Sequence, residues 1–249
     1  MDEIDLIDKS TGRGSVERAR ELHKMNAGGR MDAKNPMLHG GNVAMLARRL
    51  GIDPIGIMDF SSNINPYGPP IGVVDAMRAS LDGISEYPEP HAESFVAAVS
   101  ASTGVPERNI VAGNGSIELI HLIAGLIPRG KAMLPVPSFT EYELALLKAG
   151  ANVSYIAALS APDLLNALNK RKENAEEAGM VMLGNPNNPC GYILDREDLL
   201  GSIDRNKKTI WVVDEAFVDF VEGKRPYSLV NDVESRENLI VVKSLTKIY

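Results

Sequence analysis

With 249 residues, 44% of them hydrophobic and 24% charged, the chain is long and apolar enough for a sizeable core, which excludes a disordered or fibrous protein. A net charge of -7 argues against a nucleic-acid partner, whose phosphates call for a basic face. The single cysteine, Cys190, excludes an internal disulfide, and no stretch has the charge-free length of a membrane span, so a cytoplasmic protein without a membrane partner is expected.

Residues 1–36 are polar, with a helical patch over 16–25, and read as an N-terminal arm with no visible chemistry. Their acidic opening lacks the basic and apolar regions of a secretory signal. His39-Gly-Gly-Asn42 leads into a short helix over 43–50 that Gly51 stops. A strand-like piece over 58–60 precedes a turn-rich extended loop, 61–70, and then a helix over 73–81. Tyr87-Pro-Glu-Pro90 is a stiff connector, because each residue before a proline is pushed out of the helical region.

From Phe95 onward the pattern becomes regular. Helices are expected over 95–103, 117–126, 141–149, 161–174 and 196–206. Strands are expected over 109–112, 131–135, 152–157, 180–183, 209–213 and 239–242. Short apolar strands alternating with amphipathic helices predict an α/β fold, a mostly parallel sheet flanked by helices. There is no internal repeat and no low-complexity segment.

Five of the expected strands end in a chemically pointed loop, where open α/β sheets place their ligands. Gly113-Asn-Gly-Ser116 opens a helix, so backbone amides and the positive helix end form a phosphate site or a plain glycine turn. It is not a dinucleotide fingerprint, because Glu118 stands at the third glycine. Phe139 could stack on a planar heterocycle or simply pack in the core. Asn185-Pro-Asn-Asn-Pro-Cys-Gly191 specifies a rigid loop with exposed amides, one of which could donate to a phenolate oxygen. Asp214, just past an apolar run, could keep a pyridine nitrogen protonated and make its ring an electron sink; Glu215 beside it reads as structural. Ser244-Leu-Thr-Lys247 ends the last strand with a lysine between hydroxyls. Such a lysine can form a Schiff base with an aldehyde cofactor. Alone, each has an ordinary reading. Together they are the parts that lysine-bound pyridoxal phosphate needs.

Asn-Pro-Asn-Asn-Pro-Cys-Gly191, Val-Val-Asp-Glu-Ala-Phe217 and Ser-Leu-Thr-Lys247 resemble the class I/II, fold-type I enzymes that use pyridoxal 5'-phosphate, from about His39 to the end. Two families compete within that group: histidinol-phosphate aminotransferases, and the L-threonine O-3-phosphate decarboxylases of cobalamin biosynthesis. His39-Gly-Gly-Asn42, Asp59-Phe-Ser-Ser-Asn-Ile-Asn-Pro66, Asp214-Glu-Ala-Phe217 and Ser244-Leu-Thr-Lys-Ile-Tyr249 look like the decarboxylases. The aminotransferases usually carry a tyrosine where Phe217 stands, leaving Asn188 as the main partner of the phenolic oxygen here.

The resemblance implies that Lys247 forms the Schiff base and Asp214 pairs with the pyridinium. Asn188 would bind the phenolate and Phe139 would stack on the ring. The amides of Gly115 and Ser116, with the hydroxyls of Ser244 and Thr246, would hold the cofactor phosphate. Tyr87 would reach that phosphate from a partner subunit, implying a homodimer, and His39 and Asn65 would lie on the substrate side. His23, His91 and His121 have no matching role, and no metal is implied. The implied division is an arm over 1–36, a segment over 37–90 serving substrate side and dimer, and a cofactor-binding large domain over 91–249. The family continues past the lysine with an arginine segment and a small C-terminal domain, so the chain resembles a C-terminally truncated enzyme. The implied activity is decarboxylation of L-threonine O-3-phosphate to 1-amino-2-propanol phosphate. Histidinol-phosphate transamination and a non-catalytic cofactor-binding module are the alternatives.

Overall fold

The computed structural model describes residues 40–127, 129–170, 178–223 and 227–249. The arm over 1–36, His23, His39 and the end of the helix expected to reach 174 lie outside those residues.

Five strands form one parallel sheet: β1 (Lys131–Val136), β2 (Asn152–Ala157), β3 (Met180–Gly184), β4 (Ile210–Asp214) and β5 (Leu239–Val242), in the order β2-β1-β3-β4-β5. The near-continuous apolar runs of β1, β3 and β4 follow from cover on both faces, whereas the edge strand β2 is mostly part-exposed. Because successive side chains alternate, each strand feeds two cores. Met133, Val181, Leu183, Trp211 and Val213 point to one face and pack on helices α6 (Ala161–Lys170) and α7 (Arg196–Arg205). Leu134, Val136, Met180, Met182 and Val212 point to the other. There they meet α4 (Ser116–Ala124) and α5 (Thr140–Lys148).

The strand order reverses between β1 and β3, and the two pair only at Ala132↔Met180 and Met133↔Val181. A crevice opens at the carboxyl ends of the strands around this switch point, the usual ligand position in an open α/β sheet. Ahead of β5 lies a 3-10 turn, Val230–Ser235, held by its buried Asp232. Arg196 donates to both Asp232 oxygens, at 2.9 and 2.6 Å, a fork-on-carboxylate pair that seats β5 against α7.

The N-terminal part carries α1 (Val43–Leu50), α2 (Val73–Ala79) and α3 (Glu93–Thr103). Among its described residues before Val105, Ala47 alone is buried. Two expected strands are absent. Over 58–60, Asp59 accepts from the Ser61 N–H at 2.7 Å and from the Ser61 and Ser62 hydroxyls, a local turn that competes with any ladder. Over 109–112 the chain makes a 3-10 turn, Glu107–Asn109, and then coil, with Val111 75% exposed and no neighbouring strand to pair with. The glycine turn at 113–116 therefore follows coil rather than a strand.

Candidate functional site

A cleft of about 470 Å³ opens at the carboxyl ends of the strands. Asp214, the last residue of β4, lines it although only 5% exposed. Its two oxygens are separately held: one accepts the Ala216 N–H at 2.9 Å, the other the Tyr142 hydroxyl at 2.8 Å. Burial pushes the Asp214 carboxyl above its ordinary range, while the Tyr142 and Ala216 donors and the nearby Lys247 and Lys243 charges pull it back. Burial and the Asp214 charge push the Tyr142 phenol well above its ordinary value, so it stays a donor.

Phe139 follows β1, lines the cleft and meets Tyr142 edge to face, with ring centroids 5.6 Å apart and planes at 85°. After β3, the asparagine-proline loop commits two of its asparagines to backbone groups within and beside it. Asn185 bonds the Leu194 N–H and carbonyl, and Asn187 bonds the Pro137 carbonyl and the Cys190 N–H. The third, Asn188, lines the cleft. Lys247 and Thr246 line it from the turn after β5, and Phe217 closes the side beyond β4. Ser244 sits just behind, buried, with its hydroxyl 2.9 Å from that of Thr246.

Gly115 and Ser116 also line the cleft. The Gly115 N–H, however, donates to the Gly113 carbonyl at 2.8 Å, contrary to the expected role of that amide. The donors left at this end are the first-turn N–H groups of α4 from Ser116 onward, which have no intrahelical acceptor. Glu118 caps the loop by accepting the Asn114 N–H.

The fourth wall is Gly40 with Ser61, Ser62, Asn63 and Ile64. Gly40 packs so tightly that a Cβ there would sit 1.7 Å from the Ser61 carbonyl oxygen. Asn65, expected on the substrate side, does not line the cleft. Its amide donates to the Gly68 and Ile248 carbonyls at 3.0 and 2.9 Å, and its backbone N–H donates to the Lys247 carbonyl at 2.8 Å. Asn63, two positions earlier, faces the cleft instead. Tyr87 is fully exposed on its own chain and away from the cleft. His91 is exposed, and His121 lies on α4 with Nε2 3.4 Å from a Glu141 oxygen. Glu215 is buried and accepts from the Ser228 hydroxyl and the Leu229 N–H, a structural role as expected.

Sequence reasoning passed over Tyr142, which reads as one more core aromatic. Its offset of three from Phe139 on the first turn of a helix was the available signal. As assembled, the cleft offers a buried carboxylate, an amine, an aromatic face, an amide donor and a helix start. That donor set suits a planar heteroaromatic with a cationic ring nitrogen, a carbonyl carbon and an anionic group.

Residues 55–249 match the family Aminotransferase class I and II. Threonine-phosphate decarboxylase of Salmonella typhimurium is 34% identical over 220 residues, which cover 85% of this chain and 58% of that protein. Histidinol-phosphate aminotransferase of Stutzerimonas stutzeri is 31% identical over 217 residues, covering 86% and 58%. The crystal structure of the histidinol-phosphate aminotransferase from Clostridium acetobutylicum superposes with a TM-score of 0.68 at 27% identity, over 77% of this chain and 56% of that one. The chain thus spans a little over half the length of these relatives.

Proposed function

The chain belongs to the aminotransferase class I and II family, whose cofactor is pyridoxal 5'-phosphate, and on that premise we propose that it forms the cofactor-binding part of an L-threonine O-3-phosphate decarboxylase. It has the large-domain fold of the fold-type I enzymes of that kind. The product would be 1-amino-2-propanol phosphate, and the working protein a cytoplasmic homodimer. Residues 91–249 would bind the cofactor, while 37–90 would serve the substrate side and the partner subunit, to which Tyr87 would reach.

The donor set of the cleft fits the cofactor. Lys247 would hold its aldehyde carbon, Asp214 the proton on its ring nitrogen, and Asn188 its phenolic oxygen. Phe139 would cover one ring face, and the first turn of α4 with Thr246 would meet its phosphate, Ser244 bracing Thr246 from behind. When bound, the cofactor supplies a sink for the electron pair of a bond broken at the substrate Cα. This chain's residues do the rest. Asp214 keeps the sink charged, the walls limit water, and the released Lys247 amine returns a proton to Cα.

Decarboxylation is favoured over transamination by one observation: Phe217, not a tyrosine, lines the cleft beyond β4. No phenol there supplements Asn188. The similar standing of the histidinol-phosphate aminotransferases supports transamination as the second reading. The deciding experiment uses the full-length product that carries this chain, loaded with cofactor and given L-threonine O-3-phosphate without a keto acid. Sustained carbon dioxide release is expected. No release, with turnover once histidinol phosphate and 2-oxoglutarate are supplied, moves the assignment to the aminotransferase. Silence with both substrate sets leaves a cofactor-binding module without turnover.

A further inference from the structure

We propose that Tyr142 is a positioning residue for this site: its hydroxyl holds the Asp214 carboxylate in one orientation at the cleft, and its ring edge sets the plane of Phe139. The inference rests on the cofactor-binding reading of the cleft. Tyr142 itself lines the cleft, but its hydroxyl is committed to Asp214, so it acts through its two neighbours.

The geometry is specific. Ala216 takes one Asp214 oxygen and Tyr142 the other, so neither can rotate away without losing a donor. Tyr142 is itself 3% exposed, and its backbone N–H is tied to the Phe139 carbonyl at 3.2 Å on the first turn of α5. The same ring meets Phe139 edge to face, an arrangement favoured by the ring quadrupoles. Room for the hydroxyl is made by Gly184 at the end of β3, where a Cβ would sit 3.2 Å from it. On its core side the ring belongs to one apolar cluster with Ile120, Leu134, Val136 and Leu146. A phenylalanine would fill that space as well, and burying a hydroxyl is costly unless it is paired. The hydroxyl is therefore explained by its acceptor, not by packing.

The charged groups facing Asp214 are Tyr142 from α5, Lys243 at the end of β5 and Lys247 in the turn beyond it. Burial raises the Asp214 pKa and the Tyr142 donor lowers it. Removing the hydroxyl must raise it further, so the neutral acid survives to higher pH and the ring nitrogen loses its anion there.

The test is Tyr142→Phe, read first on the cofactor-free full-length protein by infrared titration of the buried carboxylic acid band. The Asp214 component, separated from that of Glu215 as the part lost in Asp214→Asn, is expected to persist to higher pH than in the parent and to be missing from the Asp214→Asn/Tyr142→Phe double variant. In the loaded enzyme, kcat should fall about 10- to 100-fold, the worth of one hydrogen bond to a charged group, with KM nearly unchanged. The acidic limb of the pH profile should move up. Placed on Asp214→Asn, the same change should cost nothing further. Gly184→Ala, which keeps the phenol but crowds its hydroxyl, should move the band in the same direction. A band and an acidic limb that stay put in folded Tyr142→Phe, or losses that simply add in the double variant, overturn the proposal. The infrared result does not depend on the cofactor: if it holds while the loaded protein shows no chemistry, the functional reading fails and the positioning role stands.

Discussion

Asp214 and Lys247 reach the cleft from adjacent strands, one ending β4 and the other in the turn after β5. If Lys247 is the residue that bonds the cofactor, Lys247→Ala should abolish borohydride trapping of the cofactor on the protein. Trapping that persists on another lysine would remove Lys247 from the role. These two positions were legible because Asp214 ends an apolar run and Lys247 follows closely after another, and a buried strand in a parallel sheet announces where its carboxyl end lies. Individual asparagines were not. Asn185, Asn187 and Asn188 differ only in which way a folded loop turns them, and the same is true of Asn63 and Asn65. Direction in a loop is a tertiary property: of these residues Asn188, named only through the resemblance, lines the cleft, and of the other pair Asn63 lines it while Asn65 is bonded to the lysine turn.

Among the elements, the loop around Asn65 couples the N-terminal segment to the lysine turn. One residue takes the carbonyls of both Lys247 and Ile248, across 183 positions of sequence in the second case. Asn65→Ala keeps the backbone bond and removes the side-chain ones, a local loss of about 1–2 kcal/mol. The expected result is roughly tenfold faster amide exchange over 244–249, with the exchange of β3 and β4 unchanged. Equal exchange in both proteins would show that the tether carries no load. The inner strands β1, β3 and β4 were readable because they are covered on both faces. The short apolar pieces over 58–60 and 109–112 have no strand beside them among the described residues, and propensity without a partner makes no strand.

At the scale of the whole molecule, two buried acids among the described residues have raised pKa values and draw stability down as pH rises. Glu215 is fully buried, and burial raises its pKa despite its Leu229 and Ser228 donors; Asp214 is raised as well. In the unfolded chain both ionise in the ordinary carboxylate range. The unfolded state therefore gives up its protons first, and stability falls as pH rises from that range through the folded values, then levels off. Glu215→Gln should make that fall shallower in urea unfolding followed from about pH 4 to 7. An unchanged slope would assign the whole effect elsewhere. Among the described residues no helix is long and apolar enough to cross a membrane. The ladder that joins β4 to β5 sets Asp214 opposite Val242, and Lys247 follows that partner by five positions. Over generations, exchanges of one apolar residue for another along 239–242 leave this arithmetic intact. An insertion or deletion of a single residue there would turn the strand's faces over. Mutational drift in this stretch should therefore be free in spelling and frozen in length.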